Sequence, residues 1–270
     1  MQNIGILDVK GENNNPLTGE PYSDIYKKLA DVWSKFPAYE LASDIISDIN
    51  DNQVVLIESS TGSGKTVLIP KYALHSLNYD GKIAITLPKQ VTAKSAAEFA
   101  AVTLDVQLGK IVGYQYKGSD KNMRSNRNKL LYATDGTIVA KLMRDPELKD
   151  FDIVIVDEAH ERKVQIDFLL FLLKQALTLR PTFKVIIMSA TINADIFRDY
   201  YSGFKFKSIN IGGKTNYPIE SIFLREQMKY TQAIEKGFDI LIKILESDEV
   251  EDTNAHDIIF FVVSSNEAFK

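Results

Sequence analysis

Five short runs of β-branched and aliphatic residues punctuate the chain: VVLI (54–57), IAITL (83–87), LLYAT (130–134), IVIV (153–156) and VIIM (185–188). Their hydrophobicity is continuous rather than alternating, as a strand buried on both faces requires. Longer segments of helical character lie between them. Strand and helix in alternation imply right-handed crossovers into a mostly parallel sheet flanked by helices, so the predicted fold is α/β. Each run also stops in a small polar cluster: ESSTGSGKT, LPKQ, TDG, DEAH and SAT in turn. Ligands of open parallel sheets bind outside the carboxyl ends of the strands. The five clusters are therefore predicted to meet along one edge.

The first cluster carries the most specific chemistry. G-x-x-x-x-G-K-[ST] is the pattern of a phosphate-gripping loop, and the chain supplies Gly64, Lys65 and Thr66 but has Ser59 in place of the first glycine. Gly62 and Gly64 permit φ > 0, which lets successive N–H groups turn inward around phosphate oxygens in front of a helix N-terminus. Lys65 would reach the β and γ phosphates and the Thr66 hydroxyl a Mg²⁺ ion. Ser59 is small and sits at the strand exit, so the loop, Thr61, Gly62, Ser63, Gly64, Lys65 and Thr66, is expected to hold a nucleotide, ATP or another NTP. Asp157 and Glu158 follow the fourth strand. A strand-end carboxylate suits a hydrated Mg²⁺, which assigns Asp157 to the metal, with Thr66, and Glu158 to activating the attacking water. Lys65 and Glu158 form the expected catalytic pair. His160 has no second histidine near it in sequence and is not read as a ligand.

Composition narrows the remaining classes. With 45% hydrophobic and 25% charged residues the chain matches an ordinary globular protein. The absence of cysteine excludes disulfide and thiolate-metal chemistry, and the polar N-terminus lacks a signal-peptide core. An intracellular setting is expected, with nucleus, cytoplasm and a virus-encoded origin left open. The most apolar run, 164–179, is too short for a membrane span and carries Gln165, Asp167, Lys174 and Gln175, so it is read as a buried helix and no membrane partner is expected. A net charge of −4 argues against a general polyanion binder, yet eight basic residues face two acidic ones between Lys110 and Arg144. That segment reads either as a solvated loop or as a nucleic-acid contact.

The motifs DEAHER (157–162), SAT (189–191), TDG (134–136) and STGSGKT (60–66) resemble those of the DEAH-box RNA helicases of superfamily 2. Flanking text, including VGYQYKG and KVIIMSATINADIF, is similar throughout. The leader from residue 14 resembles the branch that contains the helicases of spliceosome disassembly and ribosome biogenesis. The resemblance implies an N-terminal extension over 1–37 with a helical lead-in, a first RecA-like P-loop domain over 38–213, and the start of a second, incomplete RecA-like domain over 214–270. It implies an ATP-dependent RNA helicase, an RNA-stimulated NTPase, with single-stranded or structured RNA and an activator protein as partners. His160, Ser189 and Thr191 would couple the sites, and Lys89, Gln90, Thr134 and Gly136 would contact RNA, with Asp135 shaping its loop. Two departures stand out. TLPKQ has Gln90 where the family carries a second arginine, and Phe99 falls where a family arginine stacks on the base, although Phe99 is equally a core candidate. The family's later paired arginines have no counterpart, so this chain alone is expected to hydrolyse ATP weakly. The alternative reading is a non-catalytic nucleotide- or RNA-binding regulatory module related to helicases.

Overall fold

A computed structural model of the chain describes residues 4–60, 62–190, 193–212, 221–223, 227–246 and 258–263. The chain divides into two compact units, Met1–Tyr217 and Pro218–Lys270.

The first unit opens with three helices, α1 (Asp24–Trp33), α2 (Pro37–Glu40) and α3 (Ala42–Asp51). Ser23 caps α1 by accepting from the Tyr26 N–H, and Pro37 starts α2 at a position where its missing N–H costs nothing. Strand and helix then alternate: β1 (Val54–Glu58), α4 (Lys65–Ser76), β2 (Ile83–Leu87), α5 (Gln90–Thr103), β3 (Val112–Gln115), β4 (Leu130–Thr134), α6 (Asp135–Leu142), β5 (Ile153–Val156), α7 (Val164–Leu179), β6 (Lys184–Ser189), α8 (Ala194–Tyr200) and β7 (Phe206–Asn210). The seven strands form one sheet in the order β3-β4-β2-β5-β6-β1-β7, and all six pairings are parallel. The predicted α/β fold is the one observed.

The five predicted strands carry side chains into two cores. Val55, Ile57, Ile83 and Ile85 face α1 to α5, while Val54, Leu56, Val154 and Val156 face α6 to α8. Continuous hydrophobicity in the sequence is thus alternation between two buried faces. The two strands without such a run, β3 and β7, are the outermost ones. Helix α7 matches the predicted 164–179, with Ile166, Leu169, Leu173 and Leu177 buried on one side and Val164 and Phe168 exposed on the other. No helix among the described residues is long and apolar enough to cross a membrane.

In the second unit α9 (Tyr230–Glu246) is amphipathic, its Phe238 ring lies 4.9 Å from Phe260, and its Tyr230 hydroxyl accepts from the Val263 N–H at 3.0 Å. Residues 258–263 join no strand ladder among the described residues. The expected domain boundary at 213/214 lies outside them.

Candidate functional site

The strand order sorts the five clusters into two groups. β1, β6 and β5 are adjacent, so the ends carrying the phosphate loop, Ser189 and Asp157 stand side by side; β2 and β4, with Gln90 and Thr134 at their ends, occupy the other half of the same edge.

In the first group the loop has the backbone that the pattern demands. Gly62 (φ 85°) and Gly64 (φ 88°) are left-handed, and Gly64 leads directly into α4. Ser59 does more than tolerate its place. Its hydroxyl accepts from the Ser63 hydroxyl at 2.9 Å, both residues are buried, and its N–H donates to the Ser189 carbonyl at 3.0 Å. Thr66 donates its hydroxyl to Asp157 Oδ2 at 2.9 Å. Asp157 is fully buried; desolvation, aided by Glu158 beside it, pushes its carboxyl up to about 6 despite the Thr66 hydrogen bond. Glu158 sits at φ 57° and Arg162 at φ 47°, left-handed conformations of the kind that concentrate at functional sites. Between them His160 places Nδ1 3.4 Å from Glu158 Oε2 and 3.4 Å from the Ala190 N–H. Neutral Nδ1 accepts from Ala190; a protonated one pairs with Glu158. Ser189 is buried, and its hydroxyl has no partner among the described residues.

Gly62, Ser63, Gly64, Lys65, Thr66, Glu158 and His160 line one cavity of about 390 Å³ together with Phe36, Val67 and Ala190. Thr61 and Thr191 lie outside the described residues. Phe36 and Ala190 were missed in the sequence. The F-P step before α2 was the available signal for Phe36, but nothing local places it against a loop 28 positions on. A hydroxyl and a carboxylate 2.9 Å apart fit an oxygen-seeking cation that keeps most of its water, and no cluster of three or more His, Cys, Asp or Glu suited to another metal occurs among the described residues.

The second group forms a groove of about 690 Å³. Gln90, Thr134 and Gly136 line it, joined by Lys117 and Arg124 from the basic segment and by Lys141, Arg144 and Gln165. Lys89 is exposed at the N-cap of α5, outside the lining. Asp135 is buried at the start of α6, where burial raises its carboxyl, and the Thr134 and Thr137 hydroxyls pair at 2.9 Å. Phe99 is 48% exposed, which removes the core reading. Of the basic segment, Lys117, Arg124, Lys141 and Arg144 reach the groove; Arg127 does not line it.

A protein-family model described as DEAD/DEAH box helicase matches residues 39–198, which contain every element of both groups. The chain belongs to the DEAD/DEAH box helicase family. Among curated relatives, the Putative ATP-dependent RNA helicase L540 of Acanthamoeba polyphaga mimivirus is 47% identical over 269 residues, 99% of this chain and 38% of that protein. The ATP-dependent RNA helicase HrpA of Borreliella burgdorferi is 32% identical over 235 residues, 86% of this chain and 27% of the relative. The chain thus spans less than two-fifths of the length of these helicases.

Proposed function

We propose that this chain is the ATP-binding portion of an ATP-dependent RNA helicase of the DEAH type, built as a first RecA-like domain over 38–213 and the beginning of a second over 214–270. The observation that carries the reading is the Thr66–Asp157 hydrogen bond of 2.9 Å, which joins the phosphate loop to the acidic pair across β6, with Lys65 and Glu158 facing one cavity. An inert module has no need of a phosphate grip and a base in one place.

In this mechanism the N–H groups of the loop and the Lys65 ammonium bind the β and γ phosphates. Thr66 and Asp157 would hold Mg²⁺, which would supply charge neutralisation at the phosphates. Glu158 orients the attacking water and takes its proton, a contribution of about 10² to 10⁴ in rate. His160 and Ser189, with Thr191, relay the state of this site to the RNA side, supported by the contact of His160 with both Glu158 and Ala190. RNA follows the groove at the ends of β2 and β4. Small residues there, Thr134 and Gly136, admit a backbone closely, while Lys117, Arg124 and Lys89 supply sequence-independent phosphate attraction. The names of the two relatives support ATP and RNA as the ligands, and an activator protein belongs to the same reading.

Titration of the chain with fluorescent ADP in the presence of Mg²⁺ tests the site. Lys65→Ala is expected to abolish binding; retained affinity would remove the loop from its assigned role.

A further inference from the structure

The nucleotide reading leaves the aromatic residue of the lining without a task. Phe36 precedes α2, is half-buried, and faces the cavity beside the phosphate loop. Its ring is seated against Gly64: a Cβ built there would lie 2.5 Å from Phe36 Cδ2 and 2.8 Å from Phe36 Cβ. Two residues on, the backbone of Ala38 is held through both its N–H and its carbonyl. Its N–H donates to the Ser63 carbonyl at 3.1 Å, and its carbonyl accepts from the Tyr72 hydroxyl at 3.0 Å. Ala38 and Tyr72 are fully buried. Ser63 belongs to the loop and Tyr72 to the middle of α4, so the backbone of this one residue ties the loop to the helix that follows it.

We propose that Phe36–Ala38 is a brace that holds the phosphate loop in its binding conformation, with Phe36 a positioning residue for the nucleotide. The physical case is one of entropy. A glycine-rich loop with two left-handed glycines has much conformational freedom to lose when phosphate binds, and that loss subtracts from affinity. The Phe36 ring bars Gly64 from moving toward it, and the Ala38 N–H holds the Ser63 carbonyl in place. The brace prepays the ordering during folding. It also makes Phe36, which precedes the RecA-like domain proposed over 38–213, a determinant of nucleotide affinity.

The inference rests on the nucleotide reading, and the test separates the two. Amide hydrogen exchange at Gly62 to Thr66 is measured in the nucleotide-free chain for wild type, Phe36→Ala, Phe36→Leu and Tyr72→Phe, alongside ADP affinity. Phe36→Ala is expected to speed loop exchange about tenfold and weaken ADP about tenfold, the scale of one lost contact near 1.4 kcal/mol. Amides of β5 should keep their protection, which distinguishes a loosened loop from a destabilised fold. Phe36→Leu, which retains an apolar wall, should recover most of both effects. Tyr72→Phe, whose change lies outside the cavity, should loosen the loop in the same direction. Unchanged loop exchange in both Phe36→Ala and Tyr72→Phe overturns the brace whatever happens to ADP, and so does a loosened loop with ADP affinity intact. Loss of ADP binding in Lys65→Ala without loss in Phe36→Ala keeps the site and sinks the brace.

Discussion

Ser59 departs from the usual loop pattern and yet is bonded twice, through its hydroxyl to Ser63 and through its N–H to the Ser189 carbonyl. A glycine in its place would keep only the second bond. Removing one partner of a buried hydroxyl pair leaves the other unsatisfied, at a cost of about 1 to 3 kcal/mol, whereas removing both can be nearly neutral. Ser59→Ala is therefore expected to lower the thermal midpoint more than the double replacement of Ser59 and Ser63 by alanine does, a non-additivity that a two-by-two unfolding cycle measures directly. Gly62 to Thr66 and Asp157 with Glu158 were legible because local spacing alone defines their chemistry. The Ser59–Ser63 bond was not, because the loop pattern describes a backbone shape and says nothing of a hydroxyl pair inside it; nor were the Phe36 wall and the place of Arg124 in the groove, which depend on how segments apart in sequence pack.

At the scale of elements, β1, β2, β4, β5 and β6 announced themselves as apolar runs because each has neighbours on both sides and helices on both faces. β3 and β7 close the two ends of the sheet. Phe206–Asn210 is only partly buried, and Val112–Gln115 is short and contains Gly113, so neither builds a run that stands out. The helices of the first core meet at an unexpected group. Lys71 of α4 is buried, donates to the Thr103 carbonyl of α5 at 3.2 Å and lies 5.0 Å from the Trp33 ring of α1. Burial lowers its ammonium from the usual range to about 7. Because the folded pKa lies below the unfolded one, the unfolded chain binds more protons between pH 7 and 10.5, and stability rises with pH across that window. Below pH 7 the cost of the buried charge is fully present. Lys71→Met is expected to raise stability at neutral pH by a few kcal/mol and to flatten the rise between pH 7 and 10, read from denaturant midpoints at several pH values. A rise of the same slope in both proteins would place the titrating group elsewhere.

For the whole molecule, the decisive feature is a single sheet edge that carries both a phosphate loop and a basic groove, with β5 and β6 between them. In the proposed function, this arrangement is what would let hydrolysis at one place be read at the other. It also separates two arginines that the sequence could not tell apart. Arg124 lines the groove and Arg127 does not, so Arg124→Ala should weaken single-stranded RNA across all sequences and flatten the salt dependence by roughly one charge, with Arg127→Ala near wild type in a filter-binding series. The reverse ranking would move the RNA path off this edge. ATP hydrolysis under the control of RNA, as proposed for this edge, turns on Glu158. Glu158→Gln keeps the size and hydrogen bonding of the side chain and removes the base. In the intact protein, ATP binding should persist while RNA-stimulated phosphate release falls by about 10² or more; RNA-stimulated release that survives this change at the wild-type rate would contradict the account.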